Sequence, residues 1–557
     1  MTPRPTRLDW TVKFGGLLLF LASTNYGVLA RLGVFWDRGN ALEMIAFTGI
    51  WTVSIVGLVV AALLPALWMR ALLAVPIAAS TFIGNAVLAL TREHLSFYDV
   101  VLYWAERTHW LNAADTYALW FAWPAIKALF GLAIIAIPPR GLSLRSPFAA
   151  PIPLTPFAAI VALLLLFGGK GTQALPEQFS GASMVIVLTV WDPLSDLDSV
   201  RRDVAIANSA VARPLHIFFV VDESIRADFL DLNGAKGVTP YLASQAHRFA
   251  NFGFAVAGNN CSLFSNLILR FGGIEHKLAQ SIRTGPSIWS YARAAGYRTV
   301  YIDGQQRLGK LQNGMTIIER EDIDEFVQFP AMAKPQIDVE IARKLREIST
   351  SSEPRFVFVN KWGSHFPYVT NFPSSEAIFQ PQLEAGESIG SNRQKLRNSY
   401  ANAVHWVVDN FMRELLAADF QRVALIYTGD HGQNLMDRGI TTHCNSSNPH
   451  YTEGVVPLLL LTDEPELAQR FAAAAARNRD RATHFHIFPT LLQLLGFHAE
   501  TVRSSHGPGL LDPLPPGVRR FSYGAILSDG GQSTTWREVP PDLRDQMGAA
   551  NPAPPAL

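Results

Sequence analysis

An aspartate and a histidine stand side by side directly after an apolar run in the C-terminal third of the chain. The run covers residues 423–426, and Tyr427-Thr428-Gly429-Asp430-His431-Gly432 follows it. A short apolar run bounded by polar residues and glycine is typical of a buried strand. A carboxylate and an imidazole at the end of such a strand are common metal ligands. This segment therefore predicts one half of a metal site.

A second apolar run, about 200 residues earlier in the printed sequence, ends in acids as well. Residues 216–221 are followed by Asp222, Glu223 and Ser224. Open α/β sheets build their sites in the crevice above the carboxyl ends of the strands. We therefore expect Glu223, Asp430 and His431 to converge. Oxygen and nitrogen donors of this kind suit Zn²⁺, and a catalytic zinc needs one further position for a nucleophile or substrate.

A candidate nucleophile lies in a small polar turn, Gly258-Asn259-Asn260-Cys261-Ser262, which precedes a helix-like apolar run. A hydroxyl at a helix N-terminus gains from the local dipole, which also favours a bound phosphate. Metal coordination would lower the pKa of the hydroxyl and make it a competent nucleophile. The turn therefore predicts covalent catalysis by a side chain at the start of a helix.

The composition indicates a membrane protein with a separate soluble domain. The chain has 557 residues, of which 49% are hydrophobic and 17% charged, so it is too long for one domain and too apolar for an ordinary soluble protein. Lysine plus arginine (47) and aspartate plus glutamate (46) nearly cancel to a net charge of +1. This balance argues against nucleic acid as a partner. Two cysteines are too few for a disulfide scaffold.

Apolar segments in the first 169 residues approach the roughly 20 residues that a helix needs to cross a bilayer. We find five, at residues 14–35, 44–67, 71–90, 117–137 and 153–168. Basic residues flank them on one side: Arg4, Arg7, Lys13, Arg70, Arg140 and Arg145. The positive-inside rule places these flanks in the cytoplasm. Five spans then put everything after Gly168 outside, in the periplasm of a Gram-negative bacterium.

The remainder of the chain predicts an α/β domain. From residue 214, strand-like runs alternate with helix-like runs, which favours βαβ units and a doubly wound, mostly parallel sheet. The predicted organisation is a five-helix transmembrane domain at 1–169, a connector at 170–213, the α/β domain at 214–538 and a disordered tail at 539–557, which is rich in proline and alanine.

Secondary candidates have structural interpretations. Ser224 is interpreted as a helix N-cap. Asp303 and Gln305, at the end of another strand, either line the pocket or form a simple turn. His484 and His486 are expected to pack against or cap the helix that carries Pro489.

The outer domain resembles the alkaline phosphatase and sulfatase superfamily. With its five apolar segments, the whole chain resembles the membrane-anchored phosphoethanolamine transferases of that superfamily, from the first span to the region of Leu511. The segments that carry the resemblance are Val220-Val221-Asp222-Glu223-Ser224-Ile225-Arg226, Gly363-Ser364-His365-Phe366-Pro367-Tyr368, Asp430-His431-Gly432, His443 ahead of Val456-Pro457, and Pro489-Thr490-Leu491-Leu492-Gln493-Leu494-Leu495-Gly496.

The resemblance implies a set of site residues. Glu223, Asp430, His431 and the nucleophile Ser262 would hold one Zn²⁺ ion. His365 and His443 would bind the transferred phosphate. In sulfatases the reactive residue lies three positions before a serine and ten before a glycine, as Ser262 does relative to Ser265 and Gly272. Cys261 is the alternative nucleophile, since sulfatases use a cysteine here, but their CxPxR pattern is absent.

The chain departs from the lipid A enzymes in two respects. Those enzymes carry several disulfides and a DHGES string, whereas this chain has two cysteines and reads Asp430-His431-Gly432-Gln433-Asn434. The acceptor is therefore open. Cys261 and Cys444 flank two site segments, so under the resemblance they either pair in an oxidising compartment or remain two free buried thiols.

The function that the resemblance implies is a ping-pong transfer. Phosphoethanolamine would move from the membrane lipid phosphatidylethanolamine to Ser262, and then to an envelope glycan or a lipid A-type acceptor. The enzyme would be a multi-pass protein of the bacterial inner membrane with its catalytic domain in the periplasm. The alternatives are a phosphoglycerol transferase, a sulfatase-like hydrolase, and an inactive sulfatase-fold scaffold of an envelope glycan assembly.

Overall fold

The computed structural model describes most of the chain as two compact units, residues Met1–Pro193 and Leu194–Leu557. The described residues are 7–37, 39–91, 94–105, 107, 117–138, 141–169, 171–198, 201–206, 213–384, 387, 392–441, 443–446, 448–524, 526–527 and 534–550.

The first unit is helical. Four of its described helices are long and apolar enough to cross a membrane: Ala41–Leu63, Leu67–Leu90, Ala118–Ala136 and Pro147–Leu166. A fifth span results if the pair Thr11–Thr24 and Val28–Asp37, bent by 62°, counts as one. The prediction of an apolar helical domain is therefore confirmed, with four to five spans. The other α-helices among the described residues of this unit are Arg7–Trp10, Phe97–Ala105 and Glu177–Val190.

The break in the first predicted span has a local cause. Asn25 leaves the helical conformation with ψ at 127°, and Gly27 has a φ of +72°, a region that favours glycine. A Cβ atom at Gly27 would also lie 2.7 Å from the Nε2 atom of His94. The hydropathy of residues 14–35 did not reveal this bend, because the residues on both sides of it are equally apolar.

The second unit is built on a seven-stranded sheet in the order β2-β7-β6-β1-β5-β3-β4. Strands β1, β3, β4, β5 and β6 pair in parallel, whereas β7 is antiparallel to both of its neighbours. The strands are β1 (His216–Asp222), β2 (Phe249–Val256), β3 (Arg298–Asp303), β4 (Glu325–Gln328), β5 (Arg355–Asn360), β6 (Val423–Gly429) and β7 (Val455–Thr462). Every residue of β1 and β6 is buried, as expected for central strands covered on both faces.

Helices surround this sheet, and the predicted doubly wound α/β class is confirmed. The helices are Pro240–Ser244, Ser262–Phe271, Leu278–Thr284, Ile288–Ala294, Ile317–Glu321, Lys334–Ser349, Arg393–Val404, Phe411–Leu415, Pro465–Asn478, Ile487–Leu494, Ala499–His506 and Leu543–Ala550. A π-helix, His405–Asn410, joins the two helices that flank it. A two-stranded sheet of β8 (Arg520–Tyr523) and β9 (Thr535–Glu538) was not predicted.

Two predicted boundaries differ from the structure. The predicted connector 170–213 contains the helix Glu177–Val190, which belongs to the first unit because it packs on Leu67–Thr91 and Thr155–Leu166. The predicted disordered tail contains the helix Leu543–Ala550. Its Leu543 and Met547 join a small core with Phe254, and this burial stabilises a segment whose composition alone favours disorder. Residues 551–557 lie outside the described part of the chain.

Candidate functional site

The site lies at the carboxyl edge of the central strands. Strands β1 and β6 are in parallel register, with Asp222 opposite Gly429. This register brings the next residues, Glu223 and Asp430, to the same edge. The backbone N–H of Asp430 donates to the carbonyl of Asp222 over 2.8 Å. The predicted meeting of the two acidic segments is therefore what parallel pairing of their strands produces.

Ser262 approaches this edge from the first position of its helix, Ser262–Phe271. Its hydroxyl lies 2.9 Å from the Nε2 atom of His431 and donates to the Oε2 atom of Glu223 over 3.2 Å. Residues that are 39 and 169 positions away in the chain thus contact one hydroxyl. Asn266, one turn along the helix, donates to the Ser262 carbonyl. The hydroxyl is placed as the sequence predicted.

Asp430 has one satisfied and one unsatisfied oxygen. Its Oδ1 accepts hydrogen bonds from the backbone N–H groups of Ser224 (2.9 Å) and His431 (2.8 Å). Its Oδ2 is buried without a hydrogen-bond donor in the described structure. Burial and the neighbouring Glu223 carboxylate raise the pKa of Asp430 well above its usual value. Two buried acids that face each other without a cation are costly.

The two histidines beside these acids have their tautomers set by neighbours. The Nδ1–H of His431 donates to the Gly432 carbonyl over 2.6 Å, and the Nδ1–H of His443 donates to the Oε1 atom of Gln433 over 2.7 Å. In a neutral imidazole the other nitrogen, Nε2, then carries a lone pair. Burial and the nearby His431 ring lower the pKa of His443, which keeps that ring neutral.

His443 lies closer to the predicted metal ligands than its expected role required. One donor atom each of Glu223, His431 and His443 lies within 4.8 Å of the others, and the two imidazole centroids are 4.1 Å apart. His365 is the more exposed member of the group. His365 interacts electrostatically with both Glu223 and His443. Glu223, Ser262, Asp430, His431 and His443 therefore lie together in one region.

The donors fit a zinc ion. Tetrahedral coordination with bonds of about 2.0–2.1 Å places ligand atoms roughly 3.3 Å apart. The Nε2 atom of His431 lies 3.5 Å from Glu223 Oε1 and 3.6 Å from Asp430 Oδ2. A cation there would satisfy the unpaired Oδ2 and offset the repulsion between the carboxylates. Glu223, Asp430, His431 and the Ser262 hydroxyl form a suitable donor set.

A disulfide joins Cys261 to Cys444 across 183 positions of the chain. It connects the residue before Ser262 with the residue after His443. Of the two states that the sequence left open, the structure therefore has the paired one. Since Cys261 is disulfide-bonded, it offers no thiol, which favours Ser262 as the nucleophile.

The residues behind the ligands include one that the sequence interpretation had wrong. Ser224 does not cap a helix: it has a φ of +58°, and its hydroxyl donates to Glu223 Oε1 over 2.6 Å. Gln305 lines the site, because its amide donates to Glu223 Oε2 over 3.3 Å. Asp303 forms the turn, accepting from the backbone of Gln305. His484 and His486 are packing and capping residues, as expected.

Sequence reasoning missed Lys361 and Gln433. Lys361 is fully buried and pairs with Asp222, the residue before Glu223. It directly follows strand β5, and a lysine at the carboxyl end of an apolar run was an available signal. Gln433 holds His443 and donates from its amide to the hydroxyl of Tyr368 over 2.7 Å. No spacing rule identifies this second role.

A family model described as Sulfatase matches residues 216–497, which is just over half of the chain. The chain belongs to the sulfatase family. The motif-based resemblance is thereby confirmed for the second unit, and the sulfatase fold accounts for the seven-stranded sheet and for the acids at its carboxyl edge.

Among curated relatives of this sulfatase-family chain, the Kdo(2)-lipid A phosphoethanolamine 7''-transferase of Escherichia coli (strain K12) is 22% identical over 296 residues, 51% of this chain and 52% of the relative. The chain spans between a third and about half of the length of the curated relatives it matches.

Two solved structures share the fold. The integral membrane protein lipooligosaccharide phosphoethanolamine transferase A from Neisseria meningitidis has a TM-score of 0.63 at 16% identity, covering 92% of this chain and all of that one. The C-terminal periplasmic domain of EptC from Escherichia coli, in complex with Zn, has a TM-score of 0.52 at 18% identity and covers 63% of this chain and 99% of that one. At these identities the likeness establishes the fold: a helical membrane unit followed by a sulfatase-like domain.

Proposed function

We propose that this sulfatase-family protein transfers phosphoethanolamine from phosphatidylethanolamine to an envelope glycan or lipid A-type acceptor through a phosphoserine at Ser262. The single observation that carries the proposal is the Ser262 hydroxyl at 2.9 Å from His431 Nε2 and 3.2 Å from Glu223 Oε2, at the start of a helix. The relatives named phosphoethanolamine transferases support this choice of group.

In the first half-reaction the Ser262 oxygen attacks the phosphorus of the donor. The hydroxyl proton leaves along the hydrogen bond toward Glu223. The Oγ–P bond forms, the bond from phosphorus to the diacylglycerol oxygen breaks, and that oxygen takes up a proton from His365 on the exposed side of the site. The dipole of the helix Ser262–Phe271 favours the phosphoryl group at its N-terminus.

In the second half-reaction an acceptor hydroxyl attacks the same phosphorus. His443 is neutral, with Nδ1–H bound to Gln433, so its Nε2 atom accepts the acceptor proton. The acceptor O–P bond forms, the Oγ–P bond breaks, and the proton on Glu223 returns to the Ser262 oxygen along the same hydrogen bond. The proton on His443 passes through solvent to His365, which restores both rings to their starting state. A Zn²⁺ ion held by Glu223, Asp430, His431 and Ser262 would supply Lewis-acid stabilisation of the charge that develops.

The membrane unit fits a lipid donor, because its four to five apolar helices place the chain where phospholipids are concentrated. The basic flanks Lys13 and Arg70 support an inner-membrane orientation with the second unit in the periplasm. The disulfide between Cys261 and Cys444 fits that oxidising compartment.

The test is Ser262→Ala in full-length protein purified in detergent. We expect transfer from ethanolamine-labelled phosphatidylethanolamine to fall at least about 10³-fold, because the covalent step is lost. Label should attach to the wild-type protein at Ser262, as read by peptide mass spectrometry. Ser287→Ala is the matched control, since it removes a serine at another helix N-terminus, outside the site.

Three outcomes would overturn the proposal. Labelled phosphatidylglycerol as the sole productive donor would make the enzyme a phosphoglycerol transferase. Release of label to water alone would make it a hydrolase. Lipid or glycan binding without zinc and without turnover would make it a scaffold.

A further inference from the structure

A fully buried acid, Glu453, has no role in the reaction described above. It ends the short turn Tyr451–Glu453 that leads into β7, and its side chain is 0% exposed. Among the described residues, its carboxylate hydrogen bonds come from amide groups, and no lysine or arginine pairs with it. A buried carboxylate without a cation is costly unless several donors stabilise it.

Three asparagine side chains supply these donors. Asn260 donates to Oε2 over 2.8 Å, and Asn434 and Asn445 donate to Oε1 over 2.8 and 2.6 Å. Backbone N–H groups of Asn445 and His450 add two further bonds. Each asparagine lies two or three positions along the chain from a site residue, in turn Ser262, His431 and His443.

The backbone around Glu453 connects the same loops. The N–H of Gly432 donates to the Glu453 carbonyl over 2.8 Å, and the N–H of Cys444 donates to the Asn260 carbonyl over 3.1 Å. A Cβ atom at Gly432 would lie 2.0 Å from the carbonyl oxygen of Thr452, so only glycine permits this approach. Loops that carry the nucleophile and two histidines therefore meet around one carboxylate.

We propose that Glu453 is a positioning residue that holds the loops of Ser262, His431 and His443 in catalytic register through its three asparagine partners. The proposal rests on the proposed function for its catalytic consequence, but its structural part concerns only how the three loops are held. A carboxylate suits this place because both of its oxygens accept, whereas a glutamine would accept at one oxygen and present N–H groups to the other donors.

The test is Glu453→Gln in the full-length protein. We expect kcat to fall about 10- to 100-fold with KM changed less than about threefold, as when a residue behind the ligands of a metal site is lost. We also expect dithiothreitol to reduce the Cys261–Cys444 disulfide about tenfold faster, read by mass spectrometry, because the loops open more often when buried hydrogen bonds are lost.

A second variant reverses the polarity of one contact. In Glu453→Gln combined with Asn260→Asp, the new carboxylate accepts from the new amide, so most of the lost kcat and disulfide protection should return. Asn260→Asp alone places a second acid beside Glu453. Its kcat and its protection of the disulfide should be lower than those of the Glu453→Gln variant and of the double variant. This rescue separates positioning from a general loss of stability, which the double variant would only deepen.

Asp231→Asn is the matched control. Asp231 accepts backbone N–H bonds from Gly237, Val238 and Thr239, outside the site, so its loss should lower stability and leave disulfide reduction and kcat near the wild-type values. The proposal fails if the disulfide of the Glu453→Gln variant is reduced at the wild-type rate. It also fails if the double variant recovers neither kcat nor protection of the disulfide. If the wild type transfers no phosphoethanolamine, the proposed function fails, and the disulfide measurements still decide the role of Glu453.

Discussion

Two buried cations in the first unit, Lys13 and Arg70, donate to backbone carbonyls, whereas the buried acids Glu223 and Asp430 at the carboxyl edge in the second unit face one another. The ammonium of Lys13 donates to the carbonyls of Ile134 (2.8 Å) and Ile137 (2.6 Å), at the end of the helix Ala118–Ala136. Arg70 donates to the carbonyls of Leu64 and Pro65, just after the helix Ala41–Leu63. Both cations complete helix C-termini, whose last carbonyls lack intrahelical partners.

The acids of the second unit are arranged in the opposite way. Among the residues that the structure describes, none donates a hydrogen bond to Asp430 Oδ2, and Glu223 lies close enough to raise the pKa of Asp430. The first arrangement is complete without any further component and stabilises the fold. The second costs stability until a cation arrives. The difference teaches that the satisfied cations Lys13 and Arg70 serve the fold, whereas the unsatisfied acid pair at the carboxyl edge is suited to bind a cation.

Asp430→Asn should have the largest effect, because it removes one of the two facing acids in the second unit. We expect transfer to fall about 10³-fold, because the proposed zinc site loses an anionic ligand, while the metal-free protein becomes more stable. The asparagine Oδ1 keeps both backbone hydrogen bonds, and its amide can donate to Glu223. Zinc content, labelled-lipid turnover and thermal unfolding with and without a chelator provide the measurements.

The pH dependence of the free energy of unfolding tests the same account of Asp430. Since the pKa of Asp430 is raised in the folded state, the metal-free wild type binds more protons folded than unfolded and loses stability as the pH rises through that pKa. Asp430→Asn should remove this slope. A variant that keeps its zinc, or one that is less stable than wild type without metal, would contradict the account of the acids.

Lys13→Met tests the other side of the comparison. The apolar stem is kept and the donor is lost, so three carbonyls at the helix end lose their partner. We expect about 1.5–3 kcal/mol of lost stability and an unchanged kcat per folded molecule, measured by thermal unfolding in detergent beside turnover. Lys344→Met, at an exposed ion pair with Glu347, is the control and should change little.

The convergence of the predicted ligands could be inferred from the sequence because it depends on local patterns. An apolar run that ends in acids marks the carboxyl end of a strand, and parallel neighbours bring such ends together, as β1 and β6 do. Hydropathy does not encode the direction in which a strand runs or the strand with which it pairs. Strand β7 is as apolar as its neighbours yet runs antiparallel.

The contacts of Glu453 show which side-chain interactions the sequence does not predict. Its partner Asn260 is 193 positions away, and neither residue belongs to a spacing pattern that predicts contact. The C-terminal helix Leu543–Ala550 is a similar case, since Leu543 and Met547 order it through burial against distant strands. Composition predicted disorder because it reports only on the segment itself.

His506 sharpens the comparison with the smallest effect, because it is a titratable group outside the site, with its Nδ1 atom 2.8 Å from the Ser505 hydroxyl. Its ring stacks on Phe488 and meets the edge of Tyr291. Burial, with a further contribution from Arg202, lowers the pKa of His506 to about 4 from its ordinary 6.5. Between these pH values the unfolded chain binds a proton at His506 that the folded protein does not bind. Stability is therefore lost as the pH falls from about 6.5 toward 4.

His506→Phe removes that proton and keeps a ring in the same place. The free energy of unfolding of the variant minus that of the wild type should be roughly 1 kcal/mol larger at pH 5 than at pH 8, after allowance for partial exposure of the ring. Thermal unfolding at the two pH values is the measurement. At each of the two pH values the transfer activity of the variant should equal that of the wild type, since the contacts of the ring, with Phe488 and Tyr291, lie outside the site. A change in kcat would mean that buried groups outside the carboxyl edge are coupled to the reaction, and the division between structural and functional charge would no longer hold.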